Sequence, residues 1–353
     1  MAAEQGDSKQ NWPYEKRNIA GGLIHGTFLQ LGLAFSQETT VLSAFAHALT
    51  GSNFLVGSIL SLKRLGMIIP QLFVANFLQT KTFKRPYLIL AIYIRSAAWF
   101  VLGFATFFLA SRHPSLAIFL LILLLAVFFL AGGLGEVVYS YLIARTIAPT
   151  HRGKFFGFRY LLGGGAGILA GILAQYFFLN RHAAQLFPRN YGSLFILTAA
   201  SLGLAGFGFL LMREPGDHQL ASYTPFYLYF KGAFSLVKRL ASFRRFIYAT
   251  MLLSGIYLAL PFFVVFAQTR LAVPASHLGY YISFQVFGET FSGLVWGWLG
   301  DKYGNRLALA GVSVANLLAP LWAVFSGQFW PAGFGLTFAI AGIGFRGADV
   351  VIR

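Results

Sequence analysis

The sequence consists largely of apolar stretches of about 20 residues or more, separated by short segments rich in Lys and Arg. An α-helix needs about 20 apolar residues to cross the hydrocarbon core of a bilayer. A helix also satisfies every backbone polar group within lipid. The pattern therefore predicts an all-α polytopic membrane protein. We predict ten spans, over residues 19–46, 54–78, 86–109, 116–143, 156–179, 193–212, 246–268, 278–299, 307–325 and from 331 onward.

The composition excludes several other classes of protein. Hydrophobic residues make up 57% of the chain and charged residues 10%, and the mean hydropathy is +0.68; about a quarter of an ordinary soluble domain is charged. The net charge of +17 does not predict a nucleic-acid partner, because the basic residues are dispersed between apolar runs. The chain has no Cys and its seven His are scattered. We therefore expect no cofactor, no metal site and no enzymatic activity.

The basic residues predict the orientation in the membrane. With the N-terminus inside, nineteen Lys and Arg fall in cytoplasmic segments, whereas four fall in outer segments and four within spans. This is a strong positive-inside bias, so we expect both termini in the cytoplasm and the protein in the plasma membrane. The predicted organisation is a tail (1–17), a six-helix bundle (18–212), an interfacial linker (213–245) and a four-helix, incomplete bundle (246–353).

One charged segment between spans eight and nine carries a motif. Its glycines, Gly297, Gly300 and Gly304, predict a tight turn, and the charges of Asp301 and Arg306 place it at a water-facing edge. The pattern G-x-L-G-D-x-x-G-x-R resembles the loop motif of the major facilitator superfamily of secondary transporters. In that family the Asp of the turn and its basic partners fasten the cytoplasmic ends of neighbouring helices. The resemblance implies a cytoplasmic gate formed by these five residues.

The two halves of the chain resemble each other. Residues 131–136 in span four align with residues 341–346 in span ten, six spans later, and the loop after span two aligns with the motif loop. In the first copy Thr80 replaces the acid. Parallel six-span halves are typical of the same superfamily. The resemblance then covers the whole chain, with ten of the expected twelve spans, and either a truncated sequence or a shortened relative explains the difference.

Two features of span five and its preceding loop also bear on the family. The loop from Arg145 to Arg159 is strongly basic and resembles the fourth-to-fifth linker of the superfamily. Gly163, Gly167 and Gly171 follow at four-residue spacing, which predicts a seam of close helix packing. No Pro follows these glycines, unlike the motif of the proton-coupled drug antiporters, which disfavours that subgroup.

Polar residues inside the spans are candidates for a substrate or proton pathway, since such residues belong toward a cavity or another helix. Gln30, Gln37 and Thr40 fall on one helical face of span one by heptad spacing, with Glu38 on its flank. The adjacent cations of span two either extend to the outer surface or line a cavity. Because acids and bases balance within the first bundle, we expect at least one acid–base contact. The candidates are Gln30, Gln37, Glu38, Lys63, Arg64, Arg95, Glu136, Gln285 and Glu289.

Glu289 is the sharpest of these candidates. It lies near the middle of span eight, on one face with Gln285, Ser292 and Trp296. Two interpretations remain open: a carboxyl group that binds and releases a coupling proton, or one that hydrogen-bonds a neighbouring helix.

The resemblance implies a secondary active transporter that moves a small solute by alternating access. Proton coupling is left open, and sugars, peptides and organic anions would all suit the polar residues. The alternative is a non-transporting sensor or an integral membrane enzyme on the same scaffold. The expected partners are the solute, the lipid bilayer and, if coupled, protons, without nucleic acid, and we expect a monomer.

Overall fold

The computed structural model describes residues 12, 14–178, 186–216, 227, 235, 237–253 and 255–352, and no strand occurs among them. Residues that favour a helix start are found at the beginning of several helices. The helices that begin at Arg85, Pro114 and Pro149 have a proline in their first turn. The Ser52 hydroxyl accepts a hydrogen bond from the first turn of the helix that begins at Asn53. The helices are α1 (Glu15–Phe35), α2 (Ser43–Thr50), α3 (Asn53–Leu78), α4 (Arg85–Phe108), α5 (Pro114–Thr146), α6 (Pro149–Phe178), α7 (Arg189–Leu211), α8 (Ala241–Leu253), α9 (Ile256–Arg270), α10 (Leu278–Tyr303), α11 (Asn305–Phe329) and α12 (Leu336–Ile352).

Eight helical stretches of the described residues are long and apolar enough to cross a membrane. They correspond to predicted spans one to seven and nine. Predicted span eight is α10, which has 26 residues but carries Gln285 and Glu289, and predicted span ten contains a shorter apolar helix over residues 333–345. Most of the predicted linker and tail lies outside the described residues.

The first span is interrupted in its middle. Helix α1 ends at Phe35, residues 36–37 leave the helix, and the chain continues as a π-helical turn, Glu38–Leu42, before α2. The seventh span contains α8 and α9, which are described up to Leu253 and from Ile256 onward. Pro261, where a kink was expected, lies inside α9. Irregular backbone of this kind is tolerated at membrane depth where it lines a cavity or is buried in protein.

The first group of helices is built from five close pairings: α1 packs on α6 and α7, α4 packs on α5 and α7, and α3 packs on α5. The second group repeats part of this order, because α10 and α11 both pack on α12. Glycines allow the equivalent contacts. A Cβ on Gly133 of α5 would meet the backbone of Met67 in α3, and a Cβ on Gly342 of α12 would meet the backbone of Gln285 in α10. The packing matches the internal repeat expected from the sequence.

A glycine seam joins the two groups where α6 crosses α10. A Cβ on Gly171 would lie 2.8 Å from the carbonyl oxygen of Gly279, and a Cβ on Gly167 would lie 2.8 Å from a methyl of Val286. Gly163 faces Gln30 of α1 instead. The predicted seam is confirmed, and two of its three glycines set the separation between the groups.

Candidate functional site

A cavity of about 590 Å³, here called the central cavity, lies between the two groups of helices. It is bounded by α1, the π-helical turn, α3 and α6 on one side and by α10 and α12 on the other. Both groups therefore contribute side chains to one space. The polar and charged residues that line it are Gln30, Gln37, Glu38, Thr39, Lys63, Tyr160, Gln285, Glu289 and Thr290.

The central cavity extends toward one end of the molecule. Its lining includes Gly153 and Gly157 in the first turns of α6 and Trp298 near the end of α10. This end carries the basic segment between α5 and α6. Toward the opposite end, α9 packs against the π-helical turn, α2 and α3. The two groups are thus in contact on the side away from the basic loops.

A hydrogen-bonded chain in the wall of the central cavity joins the two groups of helices. The Thr39 hydroxyl donates to Gln285 Oε1 at 2.7 Å, and Gln285 Nε2 donates to Glu289 Oε1 at 3.0 Å. Thr40, which the heptad spacing places on one face with Gln30 and Gln37, is fully buried and is not among the cavity residues. The heptad spacing assumed a continuous α-helix, whereas the break and the π-helical turn change which side chain faces the cavity.

An ion pair lies beside this chain. Lys63 Nζ is 2.9 Å from Glu38 Oε1, and the two side chains are 30% and 17% exposed. The predicted acid–base contact is therefore confirmed, and Lys63 lines the cavity rather than extending to the outer surface. Arg64 points elsewhere: its guanidinium stacks 3.7 Å from the ring centroid of Tyr257, which links α3 to α9.

A second, smaller cavity of about 180 Å³, here called the inner cavity, lies within the first group and shares Leu33, Glu38 and Lys63 with the central cavity. Its charged residues are completed by Arg95, Glu136 and Arg159.

Arg159, expected in the basic loop, lies inside the bundle on α6, with its guanidinium 5.0 Å from the ring centroid of Tyr139. Gly26 of α1 provides the space, since a Cβ there would lie 2.5 Å from Arg159 Cγ. Sequence reasoning missed this site because Arg159 follows three other basic residues of a loop.

Two residues on the predicted face of α10 do not line the central cavity. The Trp296 indole N–H donates to the carbonyl oxygen of Ile343 at 3.0 Å, so this side chain packs toward α12. Ser292 is buried and donates to the carbonyl oxygen of Glu289. Trp298 supplies an aromatic surface to the cavity in place of Trp296.

The predicted gate motif takes a different local form from the expected turn. Helix α10 continues through Gly297 and Gly300 to Tyr303, and the chain reverses only at Gly304, whose φ is +87°. That positive φ favours glycine. Arg306 is exposed, and the side chain of Asp301 lies outside the described residues. The gate thus stays a prediction.

Glu214, which was not among the predicted site residues, binds the equivalent loop of the first group, between α3 and α4. The Glu214 carboxylate, just after α7, accepts the backbone N–H groups of Lys84 at 2.8 Å and of Arg85 at 2.7 Å. Arg85 in turn donates to the carbonyl oxygens of Phe209 and Leu210. A carboxylate at a helix N-terminus is favourable. It fastens α4 to α7 in the copy where Thr80 replaces the acid.

Comparison with known proteins identifies the family. The family model described as Major Facilitator Superfamily matches residues 26–351. The chain belongs to the Major Facilitator Superfamily. Membership makes it a multi-pass membrane protein and a secondary transporter of small solutes rather than an enzyme. No curated protein sequence matches the chain.

Solved structures share this fold at low sequence identity. A mutant of the nucleoside transporter NupG has a TM-score of 0.69 and 17% identity, over 94% of this chain and 80% of that one. A bacterial homolog of the human lysosomal transporter Spinster, inward-facing and unoccupied, has a TM-score of 0.68 and 15% identity, over 97% and 75%. A D-xylose–proton symporter has a TM-score of 0.55 and 15% identity, over 97% and 89%. These similarities concern the fold.

Among the described residues no group of three or more His, Asp or Glu is arranged to hold a metal ion. The side chains that line the two cavities are instead suited to reversible binding of a solute. Hydroxyl, amide, carboxylate and ammonium groups can exchange their mutual hydrogen bonds for those of a solute.

Proposed function

We propose that this member of the superfamily binds one small polar solute in the central cavity and carries it by alternating access, coupled to a proton at Glu289. The observation that supports this most directly is the hydrogen-bonded chain from Thr39 through Gln285 to Glu289. It joins the first group of helices to the second through the wall of the cavity. A solute that competes for these groups changes the contact between the groups, which alternating access requires.

Glu289 is suited to proton coupling because it combines two properties. Its carboxylate faces the central cavity, and it accepts a hydrogen bond from Gln285, which also receives the bond from Thr39. Protonation of Glu289 removes an acceptor charge and so alters the affinity of the same groups for solute. The D-xylose–proton symporter of similar fold is one transporter in which a solute moves with protons.

We also propose a gate at the basic end, formed by Gly297, Gly300, Asp301, Gly304 and Arg306. Its support is the motif together with the position of Gly304, whose turn sits at the end toward which the cavity extends. Asp301 is expected to stabilise the state in which this end is closed. Distances measured across this end in an Asp301→Asn variant test the assignment, as described below.

The proposed setting is the plasma membrane, with the N-terminus in the cytoplasm and the protein acting as a monomer. The asymmetry of Lys and Arg between the two ends supports this orientation. The central cavity then extends toward the cytoplasm, which is an inward-facing arrangement.

The proposed function is tested by uptake into proteoliposomes. Purified protein is reconstituted and offered labelled nucleosides, sugars, dipeptides and organic anions, with and without an imposed pH gradient. We expect one chemical class to accumulate above its equilibrium level only when the gradient is present. Uptake that is equal with and without the gradient would refute the coupling, and the absence of uptake for every class would favour a non-transporting sensor.

A further inference from the structure

The inner cavity has an excess of positive charge. Lys63, Arg95 and Arg159 contribute three cationic groups, and Glu38 and Glu136 contribute two carboxylates. His25 also lines the cavity, but its ring stacks 3.8 Å from that of Phe209. Counted without His25, the residues that line this cavity carry one more positive than negative charge. A bundle interior in lipid is a costly place for such a charge unless an anion accompanies it.

The two arginines of the inner cavity also have unused hydrogen-bonding capacity. Arg95 Nε and Arg159 Nε are buried, and neither has a hydrogen-bond partner among the described residues. Their guanidinium planes are held against aromatic rings, that of Phe128 at 4.4 Å for Arg95 and that of Tyr139 at 5.0 Å for Arg159. An unsatisfied buried donor costs about 1–3 kcal/mol. A ligand that accepts from both would recover this cost.

The volume of the inner cavity limits the size of such a ligand. About 180 Å³ is room for a few water molecules or for one carboxylate or phosphate group, but not for a whole sugar or nucleoside with its ring hydration. The inner cavity adjoins the central cavity at the ion pair of Glu38 and Lys63, which line both. A solute that displaces this ion pair can place an anionic group in the inner cavity while its larger uncharged part stays in the central cavity.

We propose that the inner cavity is an anion-binding subsite, in which Arg95 and Arg159 hold the carboxylate or phosphate group of an organic anion whose body occupies the central cavity. The inference rests on the proposed function, because it names the class of solute. Guanidinium groups suit this task, since their planar donors match the oxygens of carboxylates and phosphates. Glu136 attracts Arg95 electrostatically and partly offsets its charge, so it moderates the affinity of the subsite.

The subsite is tested by binding, independently of transport. Thermal unfolding of the purified protein in detergent is measured at constant pH and ionic strength with four probes: glucose, glucuronate, glucose 6-phosphate and inorganic phosphate. The first three share a sugar ring and differ in charge. We expect all three anions to raise the unfolding temperature at millimolar concentration and glucose to have no effect. Equal stabilisation by glucose, or no stabilisation by any of the anions, overturns the proposal.

Variants locate the binding site. Arg95→Gln and Arg159→Gln are expected to abolish the stabilisation by the anions, whereas Arg112→Gln, at an exposed position, keeps it. Glu136→Gln removes a competing negative charge and is expected to tighten anion binding about tenfold, equivalent to about 1.4 kcal/mol. A gain of affinity cannot arise from misfolding. Unchanged anion binding in all three cavity variants overturns the proposal.

The outcomes separate the subsite from the proposed function. If the pH gradient drives uptake of a neutral solute but the protein binds none of the anions, the proposed transport function stands and the proposed anion subsite is refuted. If the anions bind and the variants respond as expected, but no class of solute is taken up, the anion subsite is supported and active transport is refuted.

Discussion

At the scale of single residues, the role of Glu289 is the most specific prediction. Glu289→Gln preserves the shape of the side chain and keeps one oxygen that can accept from Gln285, but it replaces the other carboxyl oxygen with an NH2 group and removes the titratable proton. We expect the variant to lose accumulation driven by a pH gradient and to retain exchange of solute across the membrane, as measured with loaded proteoliposomes. We expect the ratio of internal to external solute concentration to fall to one, because coupling needs the proton site.

Glu289→Asp is the matched control. It keeps a carboxyl group in the cavity, so we expect slower but still gradient-driven uptake. Full uphill transport by Glu289→Gln would leave only a structural hydrogen bond from Gln285.

The ion pair of Glu38 and Lys63 provides a second residue-scale prediction. Glu38→Gln leaves the ammonium group without its partner. Breaking a fully buried pair costs about 3–5 kcal/mol, and since both side chains border the cavity we expect about 1–2 kcal/mol. The unfolding temperature in detergent should fall accordingly, and the double variant Glu38→Gln with Lys63→Met should recover most of the loss. A double variant less stable than either single variant would contradict this.

Much of the central cavity was predictable from polar residues within apolar runs. Glu38, Lys63, Gln285 and Glu289 were found because lipid excludes such groups, whatever the details of packing. Thr39 and Trp298 were missed for a different reason. Their positions depend on a π-helical turn and on helix rotation, which a periodic pattern does not contain. Arg159 was assigned to the basic loop because it follows three other basic residues, and the space that Gly26 of α1 leaves for it cannot be read from the local sequence.

At the scale of elements, the crossing of α6 and α10 is expected to control stability. Gly171→Ala would place a Cβ against the carbonyl oxygen of Gly279, at 2.8 Å, and backbone cannot give way as a flexible side chain can. We expect a loss of about 1–3 kcal/mol, measured as a lower unfolding temperature. Gly165→Ala on the same helix is the control, because its Cβ meets open space. Equal effects of the two substitutions would show that the seam is not tightly packed.

The positions of the helices could be predicted from the sequence, whereas the interruption within the first span could not. Apolar length fixed the positions of α3, α4, α5 and α7, since burial in lipid allows few alternatives to a helix. The break after Phe35 was not predicted. The irregular backbone there is supported by packing from another helix, because α9 lies against the π-helical turn.

At the scale of the whole molecule, the distribution of charge predicts which end faces the cytoplasm. The chain contains no Cys, so single cysteines can be introduced without a background. We expect Asn53→Cys to react with a membrane-impermeant maleimide added to intact cells, and Lys302→Cys to react only after permeabilisation. Both positions are exposed. Labelling of both residues from the same side would contradict the topology.

The gate is tested at the same scale, with spin labels at Lys154 and Tyr303 across the cytoplasmic end. Both side chains are exposed. If Asp301 stabilises the closed state of this end, Asp301→Asn should reduce the population with the shorter distance. Identical distance distributions in the parent protein and the variant would refute that role.

Alternating access is the central claim, and paired distance measurements across both ends test it most directly. One doubly labelled protein carries the pair Lys154 and Tyr303, and another carries Asn53 and Arg270, at the opposite end. Each is measured in lipid by pulsed electron spin resonance, with and without the solute found in the uptake assay, at neutral and at acidic pH. If the protein works by alternating access, solute and protons shift the two pairs in opposite directions, so that one distance shortens while the other lengthens. Two pairs that stay fixed, or that lengthen together, under conditions in which the solute is transported would contradict it.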